Sequence, residues 1–222
     1  MDQNVILVET VPLEFDLESL GCRLRIRPGQ TKFMDRLSRL AEEAVRVARP
    51  KAVARLCGLT ILDEEKVQVG EVTFSSPLLR QKMDGLGRAF PYLASEGMEL
   101  ADWSLSLSSS LEQVFASALR EVAVQQAENL LERTLLERYG IAQVSAMNPG
   151  SLKVWSLEEQ VPLFELLAPL PEKLGVTLLP SLMMRPEYSV SGVFFQTDSK
   201  FYNCQLCPKK ECPNRRTPSL VT

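Results

Sequence analysis

Apolar residues recur at helical spacing in two long segments of this chain. From Thr31, they fall at Phe33, Met34, Leu37, Leu40, Ala41, Ala44, Val45 and Ala48, an amphipathic helix stopped at Pro50. From Ser110 to Tyr139, Leu111, Val114, Phe115, Ala118, Leu119 and Val122 form one stripe, and Leu130, Leu131, Leu135 and Leu136 continue an apolar face. No proline or glycine interrupts this second segment, Gly140 is placed to cap it, and the polar pair Gln125-Gln126 marks a candidate kink. Ser76-Pro77 starts a short helix, with a capping residue followed by proline at the first helical position. Asp16 to Gly21 reads as one helical turn closed by glycine. Ser156-x-x-Glu159 has the form of a capping box for a helix through Leu167.

Strand patterns lie between the helices. Val5 to Phe15 reads as a strand or extended arm. Val53–Cys57 and Leu59–Leu62 are short apolar runs, and Val67 to Phe74 alternates. Phe90–Ala94 closes at Gly97, and Val176 to Leu179 begins a further strand. Val190-Ser191-Gly192-Val193-Phe194-Phe195 is the strongest strand signal, β-branched and aromatic with a glycine inside it, which suits a buried strand that something approaches closely. Interleaved strands and helices without repeats or linkers predict an α+β domain. We expect a single, mostly antiparallel twisted sheet, flanking helices and one long helix over about 110–139. The expected organisation is a domain over 1–203 and a cysteine-containing tail over 204–222.

Composition narrows the chemistry. At 222 residues, 45% hydrophobic and 24% charged, the chain has ordinary globular composition. A net charge of −3 argues against a dedicated nucleic-acid binder, and no apolar run is long enough to cross a bilayer. The acidic start, without a basic region before its short apolar run, is unlike a signal peptide, so the expected compartment is the cytoplasm. The absence of histidine excludes Ser-His-Asp and Cys-His catalysis, His-ligated zinc and a histidine ligand to a corrinoid cobalt.

Three of the five cysteines stand as Cys204-x2-Cys207-x4-Cys212, with Pro208 and Pro213 opposing a helix. In a reducing compartment such a cluster points to metal or redox chemistry. Zinc would need a fourth ligand, from Cys57 or Cys22. An iron–sulfur cluster would use cysteine alone and carry electrons at low potential. The remaining alternative is three reduced cysteines in a loop knuckle. Lys209, Lys210, Arg215 and Arg216 make this end basic, either a solvated terminus or a docking surface for an acidic partner.

One stretch resembles a known family. Met184-x-Pro186, Val190-Ser191-Gly192 and Asp198-Ser199-Lys200-Phe201-Tyr202 are similar in order and spacing to the signature of the activation domain of cobalamin-dependent methionine synthase. The order of weaker features matches over nearly the whole chain. These include Leu17-x-x-Leu20-Gly21, the alanine-rich long helix, the Pro149-Gly150-Ser151 turn, Trp155 and Phe164-Glu165-Leu166-Leu167. The resemblance implies that fold and a role in cobalamin upkeep. In the family, the domain holds S-adenosylmethionine over the corrin, and its methyl group passes to cobalt once a reductase has supplied an electron. Presentation in line with the metal is the physical task.

Carried over residue by residue, the resemblance implies that Phe201, Tyr202, Gly150, Ser191 and Gly192 contribute to a cofactor site. With no segment here resembling a homocysteine, folate or cobalamin module, the implied action is in trans: reductive reactivation of the cobalamin of a partner corrinoid methyltransferase, alongside a low-potential reductase. The family's arginine four residues before a Gly-Tyr pair is Ala146 here, the residue after Gly150 is Ser151, and the paired tyrosines are Phe201-Tyr202. An alanine cannot clamp a carboxylate as a guanidinium does. Two alternatives therefore stand beside the first: a non-catalytic module that binds a corrinoid protein, and an iron–sulfur electron-transfer adaptor. Neither would use S-adenosylmethionine.

Overall fold

The computed structural model describes residues 3–209, 215 and 217–220. In chain order the strands are β1 (Val5–Val8), β2 (Lys51–Arg55), β3 (Cys57–Ile61), β4 (Lys66–Val69), β5 (Val72–Ser75), β6 (Arg88–Ser95), β7 (Val144–Met147), β8 (Thr177–Leu178), β9 (Met184–Arg185) and β10 (Ser189–Gln196). The α-helices are α1 (Leu17–Arg23), α2 (Thr31–Val47), α3 (Pro77–Lys82), α4 (Met98–Ser106), α5 (Ser110–Tyr139), α6 (Gln160–Leu167) and α7 (Leu170–Leu174). Eight strands form one sheet, and β8–β9 is a separate short hairpin. All strand pairings are antiparallel among the described residues. The expected α+β architecture, with one long helix, is the one observed.

The sheet is organised around β6. One of its edges is shared by two strands: β2 pairs with it at Tyr92–Ser95, and β3 at Arg88–Ala89. The other edge carries β10 from Ser189↔Ser95 to Phe194↔Phe90. Paired on both sides, β6 is buried from Ala89 to Ser95, which is why its sequence is apolar without alternation. β10 in turn carries β7 on its far edge.

Alternation along β2, β6 and β10 sorts side chains between two cores. Ala52, Ala54, Phe90, Tyr92 and Phe194 face Ala127, Leu131 and Leu135 of α5. Val53, Leu93, Val193 and Phe195 face Trp155 and the helices α6 and α7. A third cluster joins α2, α4 and the first half of α5 through Leu37, Leu40, Leu100, Phe115 and Leu119.

The local signals act as expected in several places. Ser76 accepts a hydrogen bond from the Leu79 N–H ahead of Pro77, and Gly140 ends α5 at φ +61°. The helix α5 is continuous through Gln125-Gln126. Its polar interruption has a tertiary purpose: Gln126 binds both the N–H and the carbonyl of Glu14, at 3.2 and 2.5 Å, and so tethers the N-terminal arm. Of Val5–Phe15 only Val5–Val8 is strand, and the remainder is extended arm. The capping box at Ser156 does not form. Its hydroxyl donates to Glu158, Glu159 accepts from the Ser75 N–H, and α6 begins at Gln160 after a 3-10 turn.

A buried ion pair pins α5 to the sheet. Arg120 Nε and Nη2 reach the two oxygens of Glu96 at 2.7 and 2.6 Å, and Glu96 is fully buried. Glu96 also accepts from the Tyr188 N–H at 3.2 Å, while the guanidinium lies 4.5 Å from the Tyr188 ring centre. Helix α5, the end of β6 and the entry to β10 thus meet at one charged pair. Removing one partner strands the other as a buried, uncompensated charge. Arg120→Met is therefore expected to lower unfolding free energy by about 3–5 kcal/mol in urea titrations, and Arg120→Met/Glu96→Gln to recover much of that loss. Equal loss in the single and double variants would contradict the pairing.

Close packing imposes a second constraint, at Gly192. A Cβ there would stand 2.4 Å from Met147 O, 2.6 Å from Asn148 Nδ2 and 2.9 Å from Tyr92 Cε1. Backbone oxygen cannot yield as a side-chain end can. Gly192→Ala is expected to cost about 1–3 kcal/mol, read as a lower denaturation midpoint with an unchanged slope.

Candidate functional site

The candidate site lies where β7, β10 and α5 meet the segment after β10. Val190, Gly192 and Phe194 share the α5 side of β10, and Ala146 of β7 is paired with Phe194. Glu128 and Glu132, one helical turn apart on α5, face the same space. Beyond β10 the chain turns at Thr197–Ser199, and Lys200 Nζ reaches Glu132 Oε1 at 2.5 Å. The Phe201 N–H then donates to Ser145 Oγ at 2.7 Å, which locks the returning segment against β7. These elements enclose a cavity of about 210 Å³, whose wall also includes Asn148, Phe201, Tyr202, Asn203 and Cys204.

A chain of hydrogen bonds sets its floor. Asn203 Nδ2 donates to Asn148 Oδ1 at 3.0 Å. Asn148 Nδ2 donates to the Tyr92 hydroxyl at 2.8 Å and to the Ser191 carbonyl at 2.9 Å. Tyr92 donates onward to Glu128 Oε1 at 2.7 Å. The Tyr92 ring stacks on Phe194 with centroids 3.9 Å apart and 14° between planes. The missing Cβ at Gly192 is what lets Asn148 and Tyr92 approach. One polar atom in this wall, Asn203 Oδ1, is buried without a hydrogen-bond partner.

The predicted site residues fall in different relations to this cavity. Phe201 and Tyr202 line it, with Lys82 Nζ 4.7 Å from the Phe201 ring centre and Lys200 Nζ 5.8 Å from that of Tyr202. Gly192 lies beneath the floor. Ser191, its neighbour on the strand, points its side chain to the opposite face, where its hydroxyl donates to Gln160 Oε1 at 3.2 Å. Only its carbonyl takes part in the floor. Gly150 is in the turn after β7 at φ +76°, its N–H bound to Trp155 O, and it is not part of the cavity wall. Ala146, which the resemblance aligns with the family arginine, is in the wall itself.

Tyr92, Glu128, Glu132, Asn148 and Asn203 belong to none of the motifs that point to the site. The available signals were the i,i+4 carboxylates on the long helix and an asparagine in the Asn148-Pro149-Gly150 turn.

Cys204 and Cys207 are free and partly exposed, and Cys204 lines the cavity. Cys212 lies outside the described residues, as do Lys210 and Arg216. Of the two candidates for a fourth ligand, Cys22 is exposed on α1, while Cys57 is buried in the core beside Gly70. Burial pushes the Cys57 thiol up to about 11, which disfavours the thiolate a metal needs. Among the described residues no group of three or more His, Cys, Asp or Glu side chains could hold a metal ion, and no helix is long and apolar enough to cross a membrane.

No protein-family model matches this sequence, and no curated protein matches it. Among solved structures, the fold is similar to that in a crystal structure of the MetH reactivation domain bound to AdoHcy. The superposition has a TM-score of 0.60 at 17% identity and covers 89% of this chain and 80% of that one. A likeness of this extent at this identity establishes the fold, and it is the fold that the Met184–Tyr202 resemblance implied.

Proposed function

We propose that this chain binds an S-adenosyl ligand in the cavity beside Tyr202 and presents S-adenosylmethionine to cobalamin held by a separate corrinoid methyltransferase. The observation that carries the proposal is positional. Ala146 and Phe201-Tyr202, the positions to which the resemblance assigns ligand contacts, converge on one cavity although about 55 residues separate them. The structural neighbour's ligand, AdoHcy, belongs to the same chemical class.

The wall suits part of such a ligand. Glu128 and Glu132 against Lys200 leave a formal charge of −1, which favours a sulfonium or ammonium. Tyr202, which is partly exposed in the wall, offers aromatic surface to a cation or a purine. At about 210 Å³ the cavity is smaller than sites that enclose a whole drug-sized ligand, roughly 300–1,000 Å³. It would hold one end and leave the rest at the surface, as presentation to a second protein requires. The ligand supplies an electrophilic methyl group, and the electron that traps it comes from a reductase. This chain's task is orientation.

A second reading is favoured by one residue. Ala146 leaves the ligand carboxylate without its guanidinium, so the fold would serve as a corrinoid-protein binding module that no longer uses S-adenosylmethionine. Calorimetric titration of the anaerobically purified protein separates the two. Saturable binding of S-adenosylmethionine and S-adenosylhomocysteine is expected, and no heat at millimolar ligand would leave the second reading.

If the cavity is the site, restoring the clamp should strengthen it. Ala146→Arg is expected to tighten S-adenosylhomocysteine binding about tenfold, equivalent to about 1.4 kcal/mol. Tyr202→Ala should weaken binding severalfold, and unchanged affinity in that variant would remove Tyr202 from the site.

A further inference from the structure

Cys204 and Cys207 sit in a knuckle that is held from both sides. The Cys207 N–H is directed at the Cys204 carbonyl at 3.4 Å, so one tight turn spans the pair. Such a turn keeps its end Cα atoms within about 7 Å, the upper limit for a disulfide. Both cysteines are free and partly exposed. On one side, Arg215, Ser219 and Leu220 pack back onto the knuckle. Arg215 donates to the Cys204 carbonyl at 2.9 Å, Ser219 to the Cys207 carbonyl at 3.1 Å, and the Leu220 N–H to the Gln205 carbonyl at 2.8 Å. On the other side, Asn203 continues into the floor of the cavity through Asn148, and Cys204 is part of the cavity wall.

We propose that Cys204 and Cys207 form a reversible dithiol–disulfide couple that stiffens the rim of the cavity. The oxidant is a low-molecular-weight disulfide of the glutathione class. One thiolate attacks it to give a mixed disulfide and expels one thiol. The second thiolate then displaces the other thiol. The net change converts two S–H bonds to one S–S bond, and the two electrons and two protons leave on two small thiols. Closing the bond shortens the knuckle between its two anchors. The strain falls on Tyr202-Asn203, which the Asn203–Asn148 hydrogen bond ties to the floor. The proposal stands on the turn and its anchors and is independent of which ligand the cavity takes.

The test uses the full chain, reduced anaerobically and then equilibrated in buffers of graded glutathione to glutathione-disulfide ratio. Free thiols are trapped by alkylation and the bonds mapped by peptide mass spectrometry. We expect a single Cys204–Cys207 bond whose fraction follows a two-electron titration. We also expect at least threefold slower amide hydrogen exchange over 201–207 in the oxidised form, with no such slowing in Cys207→Ser. A bond that joins either residue to Cys212 overturns the proposal. So does an anaerobically purified chain carrying zinc or iron that shields both thiols from alkylation. Exchange rates that do not change on oxidation would overturn the coupling to the rim.

Discussion

Everything at the candidate site depends on how closely β10 can approach its neighbours, and Gly192 sets that distance. With no side chain there, Met147 O and Asn148 Nδ2 occupy space that a Cβ would need. Asn148 can then reach across β10 to bind the Ser191 carbonyl and the Tyr92 hydroxyl together. Tyr92 can lie flat on Phe194 and donate its hydroxyl hydrogen bond to Glu128. Each step couples another element: β7 through Asn148, β6 through Tyr92, α5 through Glu128, and the segment after β10 through Asn203. A part-buried network of this kind favours one arrangement because each bond lost would leave its members to pay their desolvation.

The Arg120–Glu96 pair plays the matching part at the other end of the β6–β10 ladder. Gly192 controls the separation of strands, whereas the ion pair controls where α5 sits over them. Its carboxylate also takes the Tyr188 N–H, so the entry to β10 is fixed by the same group. Glu128 and Glu132 lie two and three turns further along α5, so the pair at Arg120 sets their position over the sheet through a rigid helix. The charge of the cavity is thus held in place from outside it.

Local rules made much of the fold legible. The apolar spacing of α2 and α5, the Ser76-Pro77 start and the Gly140 stop are signals within a few residues, and each element formed. The glycine in β10 correctly marked a close approach, although what approaches is the chain's own Met147 and Asn148. What sequence could not reveal were contacts between distant positions. The polar break at Gln126 has no local explanation in the helix pattern, because its partner, Glu14, is 112 residues away. Ser156 and Glu159 had capping-box spacing, but Ser75 competed for the glutamate and Glu158 took the serine. Nor does any local pattern announce that β2 and β3 share one edge of β6.

The site divides along the same line. Residues carried over by the resemblance share a motif, yet a strand turns neighbours to opposite faces, so Ser191 and Gly192 cannot both address one cavity through side chains. The Ser191 hydroxyl belongs to the α6 side with Gln160. Conversely, Glu128 and Glu132 carry no motif, and it is the fold that gives them a shared space with Tyr202. Two departures from the family pattern are at this surface, Ala146 in the wall and Phe201 in place of a hydroxyl-bearing ring, while Ser151 is in the turn outside it. Neither disturbs packing, since Ala146 pairs with Phe194 in regular register and Phe201 is buried in the α6 core. The constraint that builds the cavity, a glycine between two strands, is separable from the groups that give the cavity its charge. A chain can therefore keep this architecture while changing what the cavity accepts, and here two carboxylates against one lysine give a wall that favours cations.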